Sequence, residues 1–309
     1  MLWYVLSIIG AIADAGYYIS VKKFLQSADP LILAAGGYTC TGAILLVVSG
    51  LGGFPPIGHA FFGALIASSV LGIIAVLLTY SALRQTDISL AVPMISFTPL
   101  FLIVTAFVLL HEAPSLTGIA GIITIVTGSY VLNLSSSHRK WTDPFRSIVK
   151  NRGVLSMLVV SLIYAVAINF DKIIVTNSDP VFGSAVACFV LGLSFSGMSR
   201  SARMRDLVNP IIASPHPGSH RNGPAIPAKP LTSRIGQWVI LGILLSFSAV
   251  SINIAYTMQI VPYVIAIKRM SIILTVLYGT IVAREGEALR RLTGAGLMVA
   301  GAVLIILVG

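Results

Sequence analysis

Apolar residues run along this chain in blocks of about 20, separated by short polar breaks. Blocks of that length cross a hydrocarbon core of roughly 30 Å as α-helices. Lipid offers an exposed strand or loop no hydrogen-bond partners, so helix is the form such blocks must take. The pattern predicts ten spans: 2–21, 31–51, 60–83, 88–110, 115–134, 153–171, 180–199, 236–257, 262–283 and 289–308. The breaks carry helix punctuation. Lys22-Lys23 follows the first span, and Asp29-Pro30 opens the second with a cap and a first-turn proline. Residues 50–58 (GLGGFPPIG) are rich in turn formers, while 84–87 and 111–114 are tight connections. Met1 leads straight into a span with no basic leader or small-residue cleavage site, which reads as a retained helix.

The spans repeat. Placing Glu112 on Glu285 puts Gly121 on Gly294 and Gly128 on Gly301. A second offset puts Lys22 and Asp29-Pro30 on Lys172 and Asp179-Pro180. Self-similarity at fixed offset marks a duplication. The expected organisation is a five-helix unit at 1–134, a basic connection at 135–152 and a second unit at 153–309. Within the second unit, 200–235 is crowded with Arg and Pro and is expected to be disordered. Five helices per unit invert the second copy in the membrane. The fold class is therefore an all-α polytopic membrane protein with a 5+5 inverted-topology repeat, a plan that places a substrate site near the midplane between the copies.

Composition agrees with this reading. Only 10% of the 309 residues are charged, against roughly 25% in soluble domains. The net charge of +10 raises nucleic acid as a partner, but the basic residues sit in connections, where they orient helices. Nucleic acid is set aside; the bilayer is the partner. Nearly all Lys and Arg fall in connections 1–2, 3–4, 5–6, 7–8 and 9–10, with Lys172 alone on the other side, so both termini are expected outside the cytoplasm. Cys40 and Cys188 lie inside spans and read as small packing residues. No metal site is expected: His216 and His220 share a loop without fixed partners. A homodimer is left open.

A few residues break the apolar pattern at depth. Asp14 lies mid-span, where a charged carboxylate costs about 3 kcal/mol or more. Tyr17 and Tyr18 follow on the same face. Asp14 reads either as a proton or cation site facing a cavity or as half of an ion pair with Lys268 or Arg269. Lys268, Ser271, Thr275 and Tyr278 form a polar stripe on span nine. With Arg269, whose fork suits a carboxylate or phosphate, they suggest an anion site; snorkelling is the alternative for Lys268. Asn253 and Tyr256 on span eight read as interhelical hydrogen bonds or substrate contacts. Pro93 and Pro99 interrupt span four, as a gating bend or a static kink. Asp171 is expected to pair with Lys172, and Tyr164 takes the repeat position of Asp14. Glu112, Glu285 and Glu287 read as solvated ion-pair residues at turns, and Gly118, Gly121, Gly294 and Gly296 as close-packing positions.

The sequence resembles the drug/metabolite transporter superfamily, specifically ten-helix proteins with two EamA-type domains. The resemblance rests on Lys22…Asp29-Pro30, Tyr80-Ser-Ala-Leu83, Ser89…Pro93…Pro99 and the duplicated Glu/Gly/Gly series, with IKRMSIILTVLYG at 267–279 resembling a subgroup. It implies secondary transport of a small organic solute. Two departures stand out. Span nine has no proline matching Pro93, so the halves are expected to bend differently, and relatives are usually drawn with cytoplasmic termini. Lys268/Arg269 favour an anionic or zwitterionic metabolite, and Asp14 favours proton coupling or an amine. No cofactor is expected, since no phosphate-binding GxxxxGK[ST] loop is present. An enzyme would need a nucleophile elbow or HExxH, and a channel an acidic ring; neither appears. Amine or lipophilic-cation efflux, a channel and a structural membrane protein are the alternatives.

The charge pattern makes a checkable statement about orientation. A single cysteine introduced at Ser136, in a chain lacking Cys40 and Cys188, should react with a membrane-impermeant maleimide only after cells are opened. Reaction in intact cells reverses the orientation.

Overall fold

A computed structural model describes residues 2–86, 88–132, 152–206, 231–283 and 288–308, which form helices and no strand. The helices are α1 (Leu2–Phe24), α2 (Pro30–Gly52), α3 (Phe61–Gln85), α4 (Ile88–Ala91), a 3₁₀ segment (Val92–Phe97), α5 (Thr98–Leu110) and α6 (Leu116–Leu132). After the connection come α7 (Arg152–Thr176), α8 (Pro180–Arg200), α9 (Leu231–Met258), α10 (Val261–Lys268), α11 (Ser271–Ala283) and α12 (Ala288–Val308). Eight stretches are long and apolar enough to cross a membrane, and the shorter apolar helices 116–132 and 292–307 accompany them. The protein is an all-α polytopic membrane protein, as the apolar blocks require. Most of the connections at 135–152 and 200–235, and Glu285 and Glu287, lie outside the described residues, as does the side chain of Ser89.

The duplicated punctuation does the same work twice. Asp29 Oδ1 accepts the amide hydrogens of Leu31 and Ile32 at 2.9 and 3.2 Å, and Asp179 Oδ1 accepts those of Val181 and Phe182 at 2.7 and 2.9 Å. Each cap is worth about 1 kcal/mol. Lys22 Nζ donates to Thr86 O at 2.8 Å, and Lys172 Nζ donates to Gln259 O at 3.2 Å. Thr86 and Gln259 are themselves counterparts at the spacing that relates Glu112 to Glu285.

Helix packing follows the same exchange. α2 packs on α8, and α6 on α12; α3 packs on α7 as α9 packs on α1, and α5 on α7 as α10 and α11 on α1. The α6–α12 crossing is close enough that side chains are excluded. A Cβ on Gly301 would sit 2.6 Å from Gly121 O, and one on Gly128 would sit 2.7 Å from Gly294 O. Lipid supplies no hydrophobic drive between helices, so such close approach carries the association. Gly296 faces open space instead, contrary to its expected packing role.

Spans four and nine are both broken. In span four Pro99 has no amide hydrogen for Ile95 O, and Thr98 Oγ1 donates to that carbonyl at 2.7 Å. Span nine has no proline at its break, yet tightens at the corresponding residues. Met270 N donates to Ile267 O, Ile272 N to Arg269 O and Ile273 N to Met270 O, all three-residue closures at 2.9–3.1 Å. Both spans therefore break, although only span four carries the proline. Short closures at Arg269–Ile273 do in span nine what proline does in span four.

The close crossing predicts a contrast. Gly301→Ala should lower the unfolding midpoint in detergent, at a cost of about 1–3 kcal/mol for overpacking against backbone. Gly296→Ala should be neutral or slightly stabilising, because helix propensity favours Ala by up to about 1 kcal/mol. Equal effects would show that the crossing does not limit stability.

Candidate functional site

The break in span nine lets two consecutive cations point inward. Lys268 ends α10 and Arg269 follows it; both line a cavity of about 180 Å³ among α1, α2, α7, α9 and α10. Asp14, Tyr17 and Tyr18 line it from α1, Tyr38 from α2, Tyr164 and Asp171 from α7, and Asn253 and Tyr256 from α9. Asp14 lies near the middle of α1 and Tyr164 near the middle of α7, and both line the cavity.

Lys268 Nζ stands 3.1 Å from Asp14 Oδ1, with the two side chains 19% and 8% exposed. Ser271 Oγ, at the start of α11, donates to Asp14 Oδ2 at 3.4 Å. The positive end of a helix N-terminus adds to that hold on the carboxylate. Arg269 is 3% exposed, makes no ion pair among the described residues, and has a buried Nε without a hydrogen-bond partner. Across the cavity Asp171 accepts a short hydrogen bond from Ser68 Oγ. It too makes no ion pair among the described residues.

Clamps lie on either side. Tyr17 and Tyr80 share a hydroxyl hydrogen bond of 2.8 Å, close to where Lys22 binds the end of α3. Lys172 pairs with Glu112, whose Oε2 accepts Val261 N at 2.8 Å, tying α7, the end of α5 and the start of α10.

Several expectations change with the fold. Asp171 does not pair with Lys172, because successive helical residues point apart by about 100°: Lys172 turns to Glu112 and Asp171 to the cavity. Glu112 is accordingly a partly buried structural anion and not a solvated turn residue. The polar stripe on span nine is divided by the break. Lys268 and Ser271 converge on Asp14, but Thr275 is buried and donates to Ile272 O at 3.0 Å within its own helix. Tyr278 is 40% exposed and does not line the cavity. Asn253 Nδ2 donates to Ser184 Oγ at 2.6 Å, so this lining residue is also an interhelical bond. Pro93 and Pro99 are buried at the break of span four and do not line the cavity.

Sequence reasoning missed Tyr38, Ser248 and the apolar lining residues Ile252 and Ile265. Tyr38 sits in an unbroken apolar span with no pattern to single it out. Asp171 had a signal, its position two turns from Tyr164 on one helix face.

A buried charged cavity among broken membrane helices is the setting in which membrane transporters hold their solutes. The first part of the chain is similar to membrane transporters of the drug/metabolite transporter type. Residues 1–134 match the EamA-like transporter family. A solved structure described only as "Crystal structure of protein" has the same fold, with a TM-score of 0.68 at 15% identity, over 98% of this chain and 96% of that one. No curated protein sequence matches.

The ion pair has a measurable signature. Lys268→Ala leaves the Asp14 carboxylate buried without its cation and should cost about 3–5 kcal/mol of stability. Adding Asp14→Asn should restore part of the loss, read as the unfolding midpoint in detergent. A double variant no more stable than Lys268→Ala would show that the pair is not what holds α1 to α10.

Proposed function

We propose that this protein is a secondary active transporter that moves a small anionic or zwitterionic metabolite by alternating access, coupled to protons or to exchange. The observation that carries the reading is Arg269, a buried cation lining the cavity with no ion pair among the described residues. An unneutralised guanidinium in a low-dielectric site is costly until an anion arrives, and its fork can grip a carboxylate or phosphate with two parallel bonds.

The moving parts in this reading are two inverted five-helix units, 1–134 and 153–309. The mirrored caps, the mirrored lysine–carbonyl bonds and the self-matching helix packing support it. Each broken span meets the opposite unit near the cavity, α5 against α7 and α10 and α11 against α1. Rocking one unit on the other would work these contacts. The Tyr17–Tyr80 and Lys172–Glu112 clamps are then the candidate gates, with Pro93 and Pro99 setting the bend of span four. Transport of amines or lipophilic cations is the second reading. It is favoured by Asp171, a cavity carboxylate without an ion pair among the described residues.

Ligand-induced stabilisation of the purified protein tests the choice. Organic anions should raise the unfolding midpoint with dose, by about 2.7 kcal/mol at one hundred times Kd. Arg269→Gln should lose that response. Stabilisation by amines or lipophilic cations alone, unchanged in Arg269→Gln, would transfer the site to Asp171 and favour the second reading.

A further inference from the structure

The cavity is lined by two cations, Lys268 and Arg269, and two carboxylates, Asp14 and Asp171, so with all four ionised it is formally neutral. The charges are unequally committed. Asp14 is held by Lys268 and Ser271, and Asp171 by Ser68; Arg269 has no ion pair among the described residues. Lys268 and Arg269 both face the same cavity at the helix break. An anion gripped by Arg269 therefore arrives within reach of the ammonium that neutralises Asp14. The other groups near Asp14 are tyrosines, with Tyr17 and Tyr18 on α1, Tyr38 on α2, Tyr80 on α3, Tyr164 on α7 and Tyr256 on α9. None of these supplies a positive charge to replace the lysine.

We propose that Asp14 is the proton-coupling residue and that it acts by an ion-pair exchange. A solute anion on Arg269 draws Lys268 from Asp14, and the carboxylate left behind binds one proton. A monoanion enters with one proton and a dipolar solute with none, because an uncompensated charge in this cavity is costly. Linkage makes the effect reciprocal, so a proton on Asp14 tightens anion binding to the same degree. This inference rests on the anion-site reading of Arg269 given above.

The test uses two probes of one skeleton, hexanoate and 6-aminohexanoate, with the full-length protein in detergent. For the wild type, hexanoate affinity should rise by about tenfold per unit fall in pH within the linked range, with one proton taken up per hexanoate bound in weak buffer. The affinity for 6-aminohexanoate should stay level. Asp14→Asn should bind hexanoate with no pH slope and no proton uptake, and Asp14→Glu should keep both. A slope near zero for wild-type hexanoate across roughly pH 5–9, or a slope that survives Asp14→Asn, overturns the exchange while leaving the anion site standing. Failure of hexanoate, inorganic phosphate and 6-aminohexanoate all to bind overturns the anion-site reading itself.

Discussion

The contact on which the site depends is the ion pair between Asp14 and Lys268. Each charge is costly alone at this depth, and together they tie α1 of the first half to the broken ninth span of the second. The pair fixes the α10 end, and with it the position of Arg269, the next residue. It also brings Ser271, at the start of α11, onto the same carboxylate. A buried pair of this kind is weak evidence for net stability, since its desolvation cost is large. Its presence in a cavity suits groups that exchange partners.

Around that contact the membrane imposes a second constraint, satisfaction of every backbone group within the protein. The two broken spans meet it differently. Thr98 takes the carbonyl that Pro99 cannot, and the Arg269–Ile273 turn closes on itself by three-residue bonds. The result is similar: α5 packs on α7, and α10 and α11 pack on α1. A helix can thus be broken without proline where charges at the break gain partners inside the protein.

Much of the fold was legible in advance because lipid makes local rules strict. Apolar blocks gave the helices to within a few residues, and Asp29-Pro30 and Asp179-Pro180 marked their starts because a cap acts over only three residues. Spacing alone matched Gly121 with Gly294 and Gly128 with Gly301, whereas across the helix crossing Gly121 meets Gly301 and Gly128 meets Gly294. The site was legible in part. Asp14, Tyr17, Tyr18, Lys268 and Arg269 stood out as polar residues in apolar spans, and all five line the cavity. Asp171 was assigned to its neighbour Lys172 because adjacency in sequence looks like proximity, whereas a helix turns consecutive side chains apart. Tyr278 was overcounted because a helical stripe was extended through a break that no residue announces.

The sequence by itself determined that this chain crosses a membrane many times, where its helices start, and that charge lies at depth on spans one and nine. Those features depend on residues within a turn or two of one another and on the solvent. Only the tertiary structure decided which charges are paired and which face the cavity uncommitted. Lys268 takes Asp14, Lys172 takes Glu112, and Arg269 and Asp171 are left lining the cavity without ion pairs among the described residues. The physical reason is that pairing at depth is set by which helices cross and how each is rotated, and those follow from packing between residues 60 to 257 positions apart.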